Sequence, residues 1–250
     1  MGRGIIGLRN LLESGSVKYD NPRARIISLS GTKGSGKSTL TKDLAENLRN
    51  KGETVYEMLY NLSAAQYLTT AKKAYEQSLR DGAARDHFKE IRLYALIAGD
   101  AIKREIDPRI SEECTIIINR GPEVTLARQY GRDVKLMNII KIMYNSYLIS
   151  DLSVILHCND RNESLNRIKS RATIEDSEWA AAQRYISEDF ENEKNAYRKL
   201  KAKKLIPARR ILFIDTSLKN MNDLPNDLTE AERTINNKKR VLDQVLEKIS

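Results

Sequence analysis

Five apolar runs of strand length punctuate the chain: Arg25–Ser30 (RIISLS), Thr54–Tyr60 (TVYEMLY), Cys114–Asn119 (CTIIIN), Leu152–Cys158 (LSVILHC) and Arg210–Asp215 (RILFID). They are rich in Ile and Val and do not alternate strictly, as expected of strands covered on both faces. Between them apolar residues recur at helical spacing. Leu40, Leu44 and Leu48 form one such row, Phe88, Ile91, Ala95, Ala98 and Ile102 a second, and Val134, Met137, Ile140 and Tyr144 a third. Strands separated by helices predict right-handed βαβ units. The expected fold is therefore α/β, a five-stranded parallel sheet between two layers of helices. In such sheets ligands bind beyond the carboxyl ends of the strands, so the chemistry is sought there.

Composition narrows the setting. At 250 residues the chain can build its own core without disulfide or metal staples. Its two cysteines, Cys114 and Cys158, lie in apolar runs and read as buried thiols of a reducing, cytoplasmic compartment. No apolar stretch is long enough to span a membrane, and no signal-peptide core opens the sequence. Forty-three Lys and Arg against 34 Asp and Glu give a net charge of +9, which favours phosphate-bearing partners without choosing among them.

The end of the first run supplies the choice. Gly31-Thr32-Lys33-Gly34-Ser35-Gly36-Lys37-Ser38-Thr39 is a complete G-x-x-x-x-G-K-[ST], preceded by a strand pattern and followed by a helix pattern. The glycines let the backbone curl until successive N–H groups face one anion, and the following helix adds the positive end of its dipole. Lys37 is the candidate catalytic cation for the β- and γ-phosphates, and Ser38 the candidate Mg²⁺ ligand. ATP is preferred to GTP because no guanine-reading N-K-x-D sequence is present.

The downstream pieces resemble the nucleoside monophosphate kinases, and within them the thymidylate kinases. That family follows its loop with a strand ending in D-R, a helix with A-Y-Q, a basic lid and a last strand ending in I-D-A-S. In this chain the same order reads Asn119-Arg120, Ala127-Arg128-Gln129, Leu165–Arg171 (LNRIKSR) and Ile214-Asp215-Thr216-Ser217. The resemblance implies a phosphate-loop kinase fold with a helical lid over about 161–178. It further implies ATP with Mg²⁺ as donor, a nucleoside monophosphate as acceptor and dimerisation as in many family members. Arg120 would meet the acceptor phosphate, with Gln129 near its base or sugar and Arg128 beside it. Arg167 and Arg171, four apart on one helix face, would neutralise the transferring phosphoryl group. Gly34 together with a basic lid matches the arrangement in which the lid supplies that charge.

Several positions depart from the family pattern: Lys33 replaces the loop aspartate, Asn119 the acid of D-R and Arg128 the tyrosine of A-Y-Q, while Ile97-Ala98-Gly99-Asp100-Ala101 lacks the family's F-x-x-x-R reader of thymine and Tyr60-Asn61-Leu62 stands in place of R-E-P-G. Asp160 at a strand end, or Asp100, is then the expected carboxylate for Mg²⁺. The same changes make the acceptor end more cationic. They leave open a nucleic-acid-associated ATP-binding protein or a polynucleotide 5′-kinase. The run 197–210 (YRKLKAKKLIPARR), with seven basic residues and no acid, is a candidate contact for nucleic acid or, more simply, a solvated helix end. His157 and Trp179 are expected to be packing residues. The expected organisation is a loose basic arm at 1–24, the kinase domain at 25–217 and a helical segment at 218–250. The amphipathic stretch Leu228–Ile249 within that segment caps the domain or pairs with another chain.

Overall fold

The computed structural model describes residues 16–17, 19, 22–59, 65–143, 146–170, 176–206, 208–218 and 229–249. Five strands form one parallel sheet: β2 (Arg25–Gly31), β3 (Val55–Leu59), β4 (Thr115–Asn119), β6 (Ser150–His157) and β7 (Ala208–Asp215). Their spatial order is β3-β4-β2-β6-β7, so the first long strand lies at the centre and the chain builds outward on both sides of it. Register is set by isoleucine-rich pairs such as Ile26 with Ile116 and Leu29 with Val154. Alternate side chains enter opposite layers, so the central strands are buried on both faces, and the serines among their isoleucines, Ser28 and Ser153, donate to the buried Glu123 carboxylate.

On one face Ile27 and Leu29 pack with Leu40, Leu44 and Leu48 of α1 (Lys37–Asn50). Val241, Val245 and Ile249 of the last helix, α9 (Glu230–Ile249), complete this layer. The C-terminal amphipathic helix therefore caps the sheet, with Asn237 Nδ2 donating to Thr216 O at 2.8 Å and Arg25 donating to Ile249 O at 3.1 Å. On the other face lie α3 (His87–Ala101), α4 (Pro122–Gly131), α5 (Leu136–Ile142) and α8 (Phe190–Ala202), closing over Ile155, Ile116 and Ile118. The helices α2 (Gln66–Arg80), α6 (Arg161–Lys169) and α7 (Asp176–Glu188) border the carboxyl end of the sheet's elements. This is the three-layer α/β architecture expected from the alternation of patterns.

Some faces differ from expectation. Phe88 is 47% exposed, and the core row of α3 starts at Ile91. In α5 the buried residues are Leu136, Ile139 and Ile140, with Met137 outward, so the apolar row is shifted by one position from the predicted one. Tyr144 lies outside the described residues. The expected loose arm is anchored where it is described: β1 (Ser16–Val17) pairs parallel with β5 (Tyr147–Leu148), and Ala24 is buried against Ile26, Met58 and Ala98. Most of that arm, 1–15, lies outside the described residues. No described helix is long and apolar enough to cross a membrane.

Candidate active site

The phosphate loop leaves β2 at the sheet centre, where the chain order reverses. Two glycines there are fixed by sterics. A Cβ on Gly31 (φ +130°) would stand 1.7 Å from Leu156 O, and one on Gly34 (φ +76°) 2.5 Å from Ser164 O. The loop is thus pressed against both β6 and α6, an approach only glycine permits. Gly36 begins α1 in the left-handed conformation with no side-chain cap, which leaves the cap position to a ligand. Inside the curl, Ser35 Oγ donates to Thr32 O at 2.8 Å, and Lys37 Nζ donates to Gly31 O at 2.9 Å and Thr32 O at 2.6 Å. Ser38 and Thr39 are exposed at the mouth.

Asn119 ends the neighbouring strand β4. It is buried, its Nδ2 lies 3.4 Å from Ser38 Oγ, and its Oδ1 has no hydrogen-bond partner among the described residues. An orphaned amide oxygen beside a hydroxyl oxygen is a donor set of the hard, neutral kind that Mg²⁺ takes together with phosphate oxygens. These two residues fit the ion. The expected carboxylates are occupied elsewhere. Asp160 caps α6, its Oδ1 accepting from the N–H groups of Asn162 and Glu163 at 2.9 and 3.2 Å. Asp100 accepts from Ala65 N–H at 2.7 Å and from Arg104. Asp160, the expected metal ligand, is engaged as the cap of its own helix, and Asn119 is the strand-end residue that stands at Ser38.

The lid side begins at α6. Arg167 donates to Gly34 O at 3.4 Å and to Thr216 Oγ1 at 3.2 Å, and it pairs with Glu163 one turn earlier. Arg167 therefore lies directly on the phosphate loop. Arg171 lies outside the described residues.

On the acceptor side, Arg120 follows β4 with φ 69°, an uncommon conformation for a residue with a Cβ, and its N–H is tied to Leu29 O at 2.8 Å. Such local strain is a feature of functional turns. Its charge reaches Lys72 of α2 and Tyr94 of α3. Burial pushes the Lys72 ammonium down, and the fields of Arg120 and Arg128 act in the same direction against that of Glu76. Lys72 Nζ sits 6.0 Å from the Tyr94 ring, whose hydroxyl burial pushes up. Arg128 belongs to this group. Gln129, next to it on α4, is fully buried, and its Oε1 meets His87 Nδ1 at 3.0 Å.

Sequence reasoning missed Lys72, Tyr94, Tyr185, Glu193 and Tyr197. Tyr197 Oη accepts from Gly31 N–H at 3.2 Å, and Tyr185 Oη from Lys33 N–H at 3.4 Å. A signal for Glu193 existed. It occupies a position in the apolar row Phe190, Glu193, Tyr197, Leu200 of α8, where a carboxylate needs a buried partner. The basic run loses part of its apparent freedom. Tyr197, Leu200, Leu205 and Ile206 are core, Lys203 donates to Tyr130 Oη at 2.9 Å, and Lys201 lies over the Phe213 ring. His157 is half-buried beside Phe213, and burial lowers its pKa; Trp179 is likewise half-buried, against Lys169. Both thiols are buried, and desolvation raises their pKa values, as in unreactive core cysteines.

A central phosphate loop, a polar strand end facing its hydroxyl and a basic helix resting on it define a phosphate-loop nucleotide kinase. A family model described as an AAA domain matches residues 27–197, and the chain belongs to that family. It is 29% identical over 208 residues to a probable thymidylate kinase of Pyrococcus horikoshii, spanning 82% of this chain and 94% of that protein. It is 24% identical over 203 residues to a thymidylate kinase of Prosthecochloris aestuarii, spanning 77% and 86% respectively. In fold it is similar to the crystal structure of a thymidylate kinase from Ehrlichia chaffeensis, with a TM-score of 0.51 at 17% identity over 76% of this chain and 92% of that one.

Proposed function

We propose that this nucleotide kinase transfers the γ-phosphoryl group of ATP, with Mg²⁺, to a nucleoside monophosphate, with thymidylate the first acceptor to test. The observation that carries the reading is the meeting of three elements at one sheet end: the loop with Lys37, the Ser38–Asn119 pair, and Arg167 on Gly34. Loop amides and the N-terminus of α1 bind the donor phosphates, and Lys37 exchanges its contacts with Gly31 O and Thr32 O for phosphate oxygens. Ser38 and Asn119 would hold Mg²⁺, which would supply neutralisation of the phosphate charge. Arg120 orients the acceptor phosphate, and Arg167 stabilises charge on the group in flight. The two relatives named as thymidylate kinases support this acceptor class. A cytoplasmic setting fits the two buried thiols.

A coupled ADP-release assay over a panel of nucleoside monophosphates tests the reading. Turnover stimulated by at least one monophosphate is expected, and Lys37→Ala should abolish it with the melting temperature preserved. Nucleotide binding without stimulation by any monophosphate overturns the proposal.

A further inference from the structure

The acceptor-side arginine and the phosphate loop share one buried unit. Arg128 of α4 places its Nε 3.4 Å from Glu193 Oε2, and its guanidinium lies 6.0 Å from the Tyr185 ring centre. On the same ring, Lys33 Nζ stands at 5.4 Å, while Lys33 N–H donates to the Tyr185 hydroxyl. Tyr197, one turn after Glu193 on α8, accepts from Gly31 N–H. Two loop amides are therefore held by tyrosines, and both tyrosines stand in the field of the same carboxylate. Glu193 is only 1% exposed, and its Oε1 has no hydrogen-bond partner among the described residues.

Glu193 is buried and the Arg128 side chain is 25% exposed, and an ion pair so largely removed from water is a weak source of stability. Desolvation offsets most of its attraction, and apolar replacement is often neutral or stabilising. A pair kept under those terms points to a role in fixing one arrangement among several. Arg128 lies over the Tyr185 ring whose hydroxyl accepts from Lys33 N–H, and it also feels the field of Tyr94, so the pair connects the acceptor side to the first half of the loop. The second half, with the start of α1, is left for phosphate.

We propose that the Arg128–Glu193 pair is a positioning device that sets the acceptor side of the cleft in register with the phosphate loop through Tyr185 and Tyr197. The proposal rests on the nucleotide-kinase reading of the site, but its test does not require turnover. Amide exchange at Gly31 and Lys33, followed by NMR in the nucleotide-free protein, reads the loop directly. ADP affinity by calorimetry reads its consequence. Glu193→Gln keeps the size of the side chain and removes its charge, while Tyr185→Phe removes the hydroxyl that holds Lys33 N–H.

Each variant should speed exchange at Lys33 by about tenfold, the equivalent of one lost hydrogen bond. Each should also weaken ADP by about threefold to tenfold. The double variant should be no worse than the poorer single one, because both break one unit. Multiplying losses, or a Glu193→Gln protein with unaltered exchange and ADP affinity, overturns the proposal, as does a lower melting temperature with no change at either amide. Should Glu193→Gln fail to fold, Arg128→Lys combined with Tyr185→Phe reads the same coupling. Failure of every monophosphate to stimulate ADP release would overturn the proposed reaction and leave this readout standing.

Discussion

Asn119 and Ser38 face each other across adjacent elements at the carboxyl end of the sheet, Nδ2 to Oγ at 3.4 Å, and the remaining amide oxygen is buried without a partner. The strand end that would carry an acid in the resembled family here carries its neutral isostere. Introducing the charge should tighten Mg²⁺ binding, because an ionised carboxylate attracts a divalent cation more strongly than a neutral amide oxygen does. Asn119→Asp is expected to lower the Mg²⁺ concentration for half-maximal activity by about tenfold, or 1.4 kcal/mol. Asn119→Ala should raise it. A magnesium titration of the initial rate checks both, and identical titrations for all three proteins would remove Asn119 from the metal site.

Arg167 joins the lid helix to Gly34 and Thr216 through a forked guanidinium. Lysine keeps the charge but loses the fork. Arg167→Lys should reduce kcat by about 10-fold to 100-fold, in the range of losing one charge-stabilising donor. The KM for ATP should change far less. Steady-state kinetics at saturating acceptor separates the two, and an effect confined to KM would make Arg167 a binding residue only.

Gly34 is fixed by the Ser164 carbonyl, 2.5 Å from where a Cβ would stand. Gly34→Ala adds that clash to a left-handed backbone costing about 1–2 kcal/mol. The melting temperature should drop by about 2–8 °C. Adding Ser164→Gly should give no rescue, since the obstacle is backbone. Calorimetric melting of the single and double variants is the check, and full rescue would place the conflict in the Ser164 side chain instead.

Asp189 is doubly bonded to Arg132, at 2.9 and 2.6 Å. Burial alone would raise its carboxyl pKa, but the bonds and charge of Arg132 outweigh burial and hold it below the ordinary value of 3.8. The folded state therefore binds this proton less readily than the unfolded chain. The contribution is complete above the ordinary pKa and is lost as pH falls through the lower folded value. Thermal melts should show no change from this pair between pH 7 and 5 and a decline below about pH 4. Asp189→Asn should flatten that acid limb, and an unchanged limb would show that other carboxylates account for it.

Much of the fold could be read in advance, for a physical reason. Strands buried on both faces must be apolar throughout, so Ile26–Leu29 and Ile116–Ile118 announced themselves. Helix faces were less secure. Met137 and Phe88 fit the periodic rows but lie outward, because where a helix meets its neighbours is decided by the neighbours. At the site, the loop was legible since its residues are contiguous. Asp160 caps α6, and in sequence a cap and a metal ligand look alike: both are acids at the end of a strand.

By itself the sequence determined the phosphate loop and the order of strands and helices along the chain, for both are written in local spacing and period. Only the tertiary structure decided that Asn119 stands at Ser38, that Gln129 turns to His87, and that Arg128 finds Glu193, 65 positions away. Such partners meet because the sheet and helices pack to bring them together, and no period along the chain encodes a contact between elements so far apart.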